Sequence, residues 1–412
     1  MNDIYVVGVG MTPFGKFLDR TVKDLTREAV NGALTDAGAA RGDISAAFFA
    51  NTSQSPMEGQ YMVGGEIALR DMGFSEIPIS NVENACASAS TAFHLAYAHL
   101  KAGLGDVALA VGAEKMTSRD KTKSMAIFDG AWDVHGVDEM TRRLLVLGEG
   151  LNPPAGREAD ANMRSVFMDV YAALAKFHMK TFGTTKRQLA AVAAKNHHHS
   201  TFNPLSQYRN DMTIDEVLGA RMIAWPLTLP MCAPISDGAA AAILVREDAL
   251  DRFDRSRAVK VCASVLGSGS DRKPEEVEKH ICHRTALKAY NQAGVGPNDM
   301  SVAEVHDASA FAEIVQVENL GFCAFGDGGK LAERGDTKLG GRIPVNPSGG
   351  LESKGHPIGA TGLGQIYELV LQLRGEAEQR QVAGARFAIA ENGGGFHGYE
   401  EAAACITILG RG

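Results

Sequence analysis

Long apolar runs are missing from this 412-residue chain, and no stretch approaches the roughly 18 residues that a membrane-crossing helix needs. The opening Met1-Asn2-Asp3, followed by I-Y-V-V-G-V-G, lacks the basic segment and cleavable apolar region of a secretory leader. The closing G-R-G is neither a peroxisomal nor a retention address. Positive charge is also short: 41 Lys and Arg stand against 49 Asp and Glu, a formal net charge of -8. That excludes the basic footprint of a nucleic-acid binder, so an anionic ligand must meet a local basic patch. Cysteines are few and scattered, at Cys86, Cys232, Cys262, Cys282, Cys323 and Cys405, with no C-x-x-C pair. Neither a zinc ribbon nor a disulfide framework is indicated, and a reducing cytoplasm is the expected compartment.

What remains is 45% hydrophobic and 22% charged, the make-up of a compact globular protein with two or three domain-sized units. Ile4 to Val9 is β-branched and strand-like, Thr21 to Ala37 has helical spacing, and Ala46 to Ala50 is a short apolar run. The same grammar returns in Val259 to Leu266, Glu276 to Ala293 and Val302 to Val305. Ala37-Gly38 with Asp43-Ile44-Ser45 overlays Ala293-Gly294 with Asp299-Met300-Ser301 at a constant offset of ~256 positions, an internal duplication signal. A second pair of strands, Val107 to Gly112 and Phe387 to Asn392, follows in the same order at a larger offset, with an insertion placed in Gly326 to Gly349.

The expected organisation is an N-terminal half over 1–116, completed by 236–255, an inserted domain over 117–235, and a C-terminal half over 256–412. Two like α/β halves should pack together and gather the site residues where their corresponding loops meet. Thr117 to Trp225 breaks the strand and helix grammar and includes a helical Val166 to Phe182. His197, His198 and His199 have no spaced carboxylate or cysteine partner, so they read as a solvated polar segment rather than a metal site.

Cys86 lies between the polar turn N-V-E-N and a small-residue helix from about Ala87 to Ala102, where the helix N-terminus should lower its thiol pKa. The other five cysteines read as packing residues. His356 sits among Gly355, Pro357 and Gly359, a loop built for close backbone approach and suited to a base that takes the proton of Cys86. His306-Asp307-Ala308-Ser309 and Glu391-Asn392-Gly393-Gly394-Gly395 follow strand-like runs and offer an imidazole and a row of backbone N–H groups to a developing oxyanion.

With N-A-C-A-S-A-S, S-D-G-A-A-A-A-I-L at Ser236 to Leu244, E-V-H-D-A-S at Glu304 to Ser309 and N-P-S-G-G-L-E-S-K-G-H-P-I-G-A-T-G at Asn346 to Gly362, the sequence resembles the thiolases over nearly its whole length. It is most similar to the sterol carrier protein thiolases and their bacterial and archaeal acetyl-CoA acetyltransferase relatives, because His-Asp replaces Asn-Glu-Ala-Phe. The resemblance implies an α/β, five-layer α-β-α-β-α fold of two duplicated halves, with 117–235 as a loop domain for oligomer and coenzyme A contacts. It implies Cys86 as acyl-accepting nucleophile, His356 as its base, and His306 beside His356 in an oxyanion hole. The backbone N–H groups of Cys86 and a glycine near Gly394 would form a second such hole. No cofactor is implied beyond coenzyme A as substrate or product, and no metal.

The chain departs from that pattern at the second acid/base, where thiolases use another cysteine. Ala308 occupies one such place, and Glu391 or Asn392 the other, depending on how the glycines align. Glu391 is the expected replacement base, with Asn392 as the second reading of that place. The implied activity is acyl transfer between coenzyme A and an acyl-CoA through S-acyl-Cys86, in the direction of 3-ketoacyl-CoA thiolysis. Transfer to another acceptor, retro-aldol cleavage, and a non-catalytic acyl-CoA or lipid-binding role are the alternatives. No sterol-carrier domain follows Gly412, so lipid transfer by that route is not expected. Lys115, Arg119, Lys121 and Lys123, or Lys186 and Arg187, are candidates for the phosphates of coenzyme A. Met116, Met125, Met163, Met168 and Met179 are candidates for an adaptable acyl pocket. A homodimer or homotetramer, with or without a small OB-fold companion protein, is what the resemblance implies for partners.

Overall fold

The structure is a computed structural model describing residues 2–156 and 165–411. β1 (Ile4–Met11) leads to α1 (Val22–Ala37), whose apolar residues recur every three or four positions. Thr21 caps α1 by accepting from the Asp24 N–H, and Gly38 closes it in the left-handed region at φ 64°. β2 (Ala46–Ala50), α2 (Gln54–Glu58), α3 (Gly64–Arg70), β3 (Ile79–Val82), α4 (Ser88–Lys101) and β4 (Val107–Glu114) follow. Residues 117–235 carry α5 (Lys121–Ala126), α6 (Val137–Val146), α7 (Val166–Phe182), α8 (Lys186–Ser200), α9 (Ile214–Gly219) and the short β5 (Met222–Ala224) and β6 (Leu227–Thr228). The chain then returns to the main sheet as β7 (Gly238–Arg246).

The second half repeats the first: β8 (Val259–Ser268), α10 (Ile281–Ala293), β9 (Val302–Glu304), α11 (Ala310–Asn319), α12 (Gly328–Arg334), α13 (Thr361–Arg374), β10 (Phe387–His397) and β11 (Glu400–Arg411). The overlay read in the sequence is physical. Gly294 ends α10 at φ 68° as Gly38 ends α1, and a short turn then leads into β9 as into β2. The helix expected from Glu276 instead begins at Ile281, because His280 turns back to accept from the Cys282 N–H and caps it there.

Strand order is β3-β2-β4-β7-β1-β8-β11-β10-β9, a mixed sheet whose two halves run outward from the β1–β8 seam in matching order. At the far edge Val345 bridges Ala303, so the Gly326 to Gly349 region supplies a counterpart to β3. The side-chain period of two divides the layers. Phe48, Ala50, Ala240, Ala242, Ala388 and Ala390 face α4 and α13, which lie between the half-sheets. Ala47, Phe49, Leu109 and Ile243 face α1, while Ile389, Ile406 and Ile408 face α10 and α11. The result is helix, sheet, helices, sheet, helix.

The expectation of a solvated His197–His199 segment is corrected. His197 and His199 are buried on α8 and only His198 is exposed. His199 is bonded through Nδ1 to Asn346 O at 2.9 Å and through Nε2 to the Leu339 N–H at 3.0 Å. His197 reaches Ser353 Oγ and Pro230 O, and Lys195 donates to Val345 O at 2.7 Å. α8 thus braces the 346–356 loop, and a single sequence cannot reveal that because the partners lie about 150 residues away.

Asp237 fastens the start of the inserted region to the sheet. Its carboxylate accepts from the N–H groups of Phe17, Met116 and Thr117, from the Thr117 hydroxyl, and from Lys115 Nζ at 2.7 Å. Asp237→Ala leaves the Lys115 ammonium buried without its carboxylate, which should cost ~3–5 kcal/mol, read from urea midpoints. A loss below about 1 kcal/mol would show that the pair carries little of the fold.

Candidate active site

Cys86 lies in the short turn Ala85–Ala87 that joins β3 to α4. Ala85 occupies the left-handed region at φ 48°, an unfavourable conformation for a residue with a Cβ. Hydrogen bonds hold it: the Ala85 N–H donates to Glu83, the Asn84 N–H to Ser88 Oγ, and Asn84 Nδ2 to Thr91 Oγ1.

His356 arrives from the other half. Its N–H donates to Ser236 Oγ at 3.0 Å, and Ile235 bridges it in parallel, so the S-D-G segment seats the loop. Glu114, at the end of β4, accepts from the Gly359 N–H as well as from Asn51, Thr52 and Ser53. Gly112 explains how close the loop comes, since a Cβ there would stand 2.1 Å from Gly359 O.

His356 Nε2 is 3.3 Å from Cys86 Sγ, and Nδ1 is 2.7 Å from Thr361 Oγ1. The Thr361 hydroxyl spends its proton on Pro357 O, so it accepts from His356 Nδ1–H. This leaves the Nε2 lone pair facing the thiol. The tautomer is the one a base needs, and Thr361 is a positioning residue that sequence reading missed although it stands in the G-A-T-G segment. Burial holds His356 well below the ordinary imidazole range, so it rests neutral.

The thiol itself differs from expectation. Burial pushes Cys86 up to about 12, and the charges of Glu114 and Glu83 push the same way, against the N–H groups of Gly395 and Cys86. A one-turn helix start does not outweigh removal from water, so Cys86 rests as a thiol and needs its base. The glycine that faces the sulfur is Gly395, at φ 65°, whereas Gly394 pairs with Ala403 in the sheet. The left-handed turn at Gly395 interrupts the pairing between Gly394 and Phe396 without shifting its register, and aims its N–H at the Cys86 sulfur.

His306 stands beside His356, ring centroids 5.2 Å apart. Both its ring nitrogens are buried and meet no protein partner, and burial lowers its pKa to about 4. A neutral imidazole with a free N–H is available to a carbonyl oxygen in the cavity. Cys86, His306 and His356 line that cavity, of about 400 Å³, with Met116, Met125, Met168, Phe128, Phe167, Tyr171 and Phe396. Met163 lies outside the described residues, and Met179 is not in the wall.

Glu391 and Asn392 are not in the wall either. Glu391 accepts from the His306 backbone N–H at 2.9 Å and lies 3.3 Å from Cys282 Sγ, behind the cavity. Asn392 bonds Ser90 at 2.8 Å and ties β10 to α4. The tentative acid/base roles for these two are therefore corrected, because the strand they occupy directs both side chains into packing. Lys115 is likewise committed to Asp237, and Arg119, Lys123, Lys186 and Arg187 do not line the cavity. The Lys121 side chain lies outside the described residues. Lys16 and Arg221, which sequence reading passed over, are the cations in the wall, both exposed at its mouth. Among the described residues no helix is long and apolar enough to cross a membrane.

Two family models match this chain, "Thiolase, N-terminal domain" over residues 4–218 and "Thiolase C-terminal domain-like" over residues 270–411. It is 36% identical over 401 residues to an acetyl-CoA acetyltransferase of Methanothermobacter thermautotrophicus, covering 97% of this chain and 98% of that protein. It is 37% identical to sterol carrier protein 2 of Bos taurus, covering 95% of this chain and 70% of that protein. Among solved structures, an "Ltp2-ChsH2(DUF35) aldolase" superposes with a TM-score of 0.77 at 24% identity, over 99% of this chain and 97% of that one, which is a likeness of fold.

Burial raises Glu391 from the usual carboxyl range to about 8, with the Glu401 charge adding to it. Its folded pKa exceeds its unfolded one, so its contribution to stability is full below about pH 4.5 and is lost as pH rises through about 8. Urea midpoints of the wild type should fall across that window, and Glu391→Gln should flatten the fall. Parallel slopes for the two proteins would contradict the assignment.

Proposed function

Because the chain belongs to the thiolase family, an enzyme family of acyl transfer, we propose that it moves an acyl group between coenzyme A and an acyl-CoA through S-acyl-Cys86. The observation that carries this reading is the 3.3 Å approach of His356 Nε2 to Cys86 Sγ, with the tautomer set by Thr361. In the direction of thiolysis, His356 takes the Cys86 proton and the sulfur attacks the 3-keto carbonyl. Charge on that oxygen is met by the N–H groups of Cys86 and Gly395. In this reading His306 and His356 hold the thioester oxygen of the departing acyl-CoA as its enolate forms. The coenzyme A sulfur then attacks the acyl carbonyl carbon, its thiol proton passing to a second base, and Cys86 leaves with the proton held by His356.

The cavity supports a bulky or aromatic acyl chain. Phe128, Trp132, Phe167, Tyr171 and Phe396 form a contiguous aromatic group, with Trp132 and Phe167 centred 4.2 Å apart. Adaptable Met116, Met125 and Met168 complete the apolar lining. Lys16 and Arg221 at the mouth are the proposed contacts for the phosphates of coenzyme A. A homodimer or homotetramer in a cytoplasmic setting belongs to the same proposal, as does a small OB-fold companion. The aldolase above, whose name pairs Ltp2 with a DUF35 protein, supports asking for that companion.

Incubation with acetoacetyl-CoA and longer 3-ketoacyl-CoAs, followed by intact mass, tests the reading. An acyl adduct should form, vanish in Cys86→Ala, slow by about 10²–10⁴-fold in His356→Ala, and turn over when coenzyme A is added. Absence of any adduct across chain lengths would overturn acyl transfer and favour a lyase or a binding role.

A further inference from the structure

The acyl-transfer cycle needs a second proton carrier, one that protonates the α-carbon of the departing acyl-CoA and later accepts the proton of the coenzyme A thiol. Ala308 lies in the cavity wall where a side-chain acid would be useful, and it offers none. Among the described residues of the wall, Cys232 offers a thiol beyond Cys86 and Glu401 offers a carboxyl. Cys232 directs its proton to Thr228 O at 3.4 Å, and burial raises its pKa with no cation or N–H to hold a thiolate.

Glu401 is the only carboxyl among the described residues that line the cavity with Cys86, His306 and His356. It enters from β11 opposite Phe396, and the gap in the glycine run admits it, since a Cβ on Gly393 would stand 2.6 Å from Glu401 Cγ. Gln316 Nε2 donates to Oε1 at 2.9 Å, while His280 Nε2 lies 3.3 Å and Cys282 Sγ 3.8 Å from Oε2. His280 Nδ1 accepts from the Cys282 N–H, so its Nε2 carries the hydrogen and points it at Glu401. That tautomer also removes the His280, Cys282 and Glu401 cluster from consideration as a metal site, because the nitrogen nearest the carboxylate has no free lone pair.

We infer that Glu401 carries the α-carbon proton in the reaction of Cys86, in the place that other members of the family give to a cysteine. The inference rests on the acyl-transfer reading above. Its steps balance. The Cys86 proton goes to His356 and the sulfur bonds to the keto carbon. The carbon–carbon bond breaks, its electron pair passes to the α-carbon of the departing enolate, and Glu401 gives that carbon its proton. Coenzyme A then loses its thiol proton to the Glu401 carboxylate, its sulfur takes the acyl group, and Cys86 leaves with the proton held by His356. Glu401 must begin protonated, and burial beside the Glu400 charge raises its pKa in that direction. The Glu391 carboxyl, reached through Cys282, lies behind it as a second protonated acid.

The test separates the two chemistries at one site. With acetyl-CoA in D₂O, mass spectrometry reads acyl uptake by wild-type Cys86 and deuterium entry at the acetyl carbon, and a parallel sample reads the rate at which iodoacetamide alkylates Cys86, a step that uses the Cys86–His356 pair and no proton from Glu401. Glu401→Gln should be alkylated at Cys86 within about threefold of the wild type and exchange deuterium about 10²–10⁴-fold more slowly. Gly393→Ala, which keeps the carboxyl and presses on its Cγ, should also slow exchange with alkylation intact, and it decides the matter if Glu401→Gln does not fold. Exchange at the wild-type rate in Glu401→Gln would overturn the inference, as would loss of alkylation together with exchange in a variant that melts normally. If wild-type Cys86 takes up no acyl group, the acyl-transfer reading itself falls, a failure recognisable because it appears before any substitution is made.

Discussion

The contact between Cys86 Sγ and His356 Nε2 joins residues 270 positions apart, and the duplicated architecture exists to make it. Each residue sits just before a helix of the middle layer, Cys86 before α4 and His356 shortly before α13. Those helices lie side by side between the two half-sheets, so the ends that carry chemistry meet in one place. The distance leaves little slack. A thiol held protonated by burial reacts only if a neutral imidazole is already in line, and Thr361 sets which ring nitrogen is free.

Buried carboxylates fix the loops that bring this contact about. Glu114 binds the 51–53 segment and Gly359, Asp237 binds the start of the inserted region, and Asp307 accepts from the Leu351 N–H at 2.7 Å. Each gathers backbone N–H groups from segments distant in the chain, which loops without secondary structure need in order to be buried at all. The same economy leaves His306 conspicuous. In an interior where most polar groups have a partner, an imidazole with none on either ring nitrogen faces the cavity.

Much of this was legible in the residues. The 256-position overlay of two helix ends is two glycines in the left-handed region followed by the same turn into the same strand. Cys86, His356 and His306 were marked by their neighbours, and all three meet. What was not legible depends on facing and depth. Glu391 and Glu401 are both acidic and near a glycine run, but the strand alternation and the left-handed turn at Gly395 put only Glu401 in the cavity wall. Lys115 looked like a phosphate ligand until its partner, 122 residues on, buried it against Asp237. The polar stripe of α8 looked solvated because its acceptors are main-chain oxygens of a distant loop, which no composition discloses. Lys16 and Arg221 carry no local signal and are known only by where the fold leaves them.

The central claim is that Cys86 accepts the acyl group with its carbonyl oxygen turned to the N–H groups of Cys86 and Gly395. A crystal frozen soon after exposure to acetyl-CoA without a second acyl acceptor tests it most directly. The account predicts an acetyl group bonded to Cys86 Sγ with its oxygen about 3 Å from both nitrogens. An unmodified Cys86 beside an intact thioester, or an acetyl group on any other side chain, would contradict it.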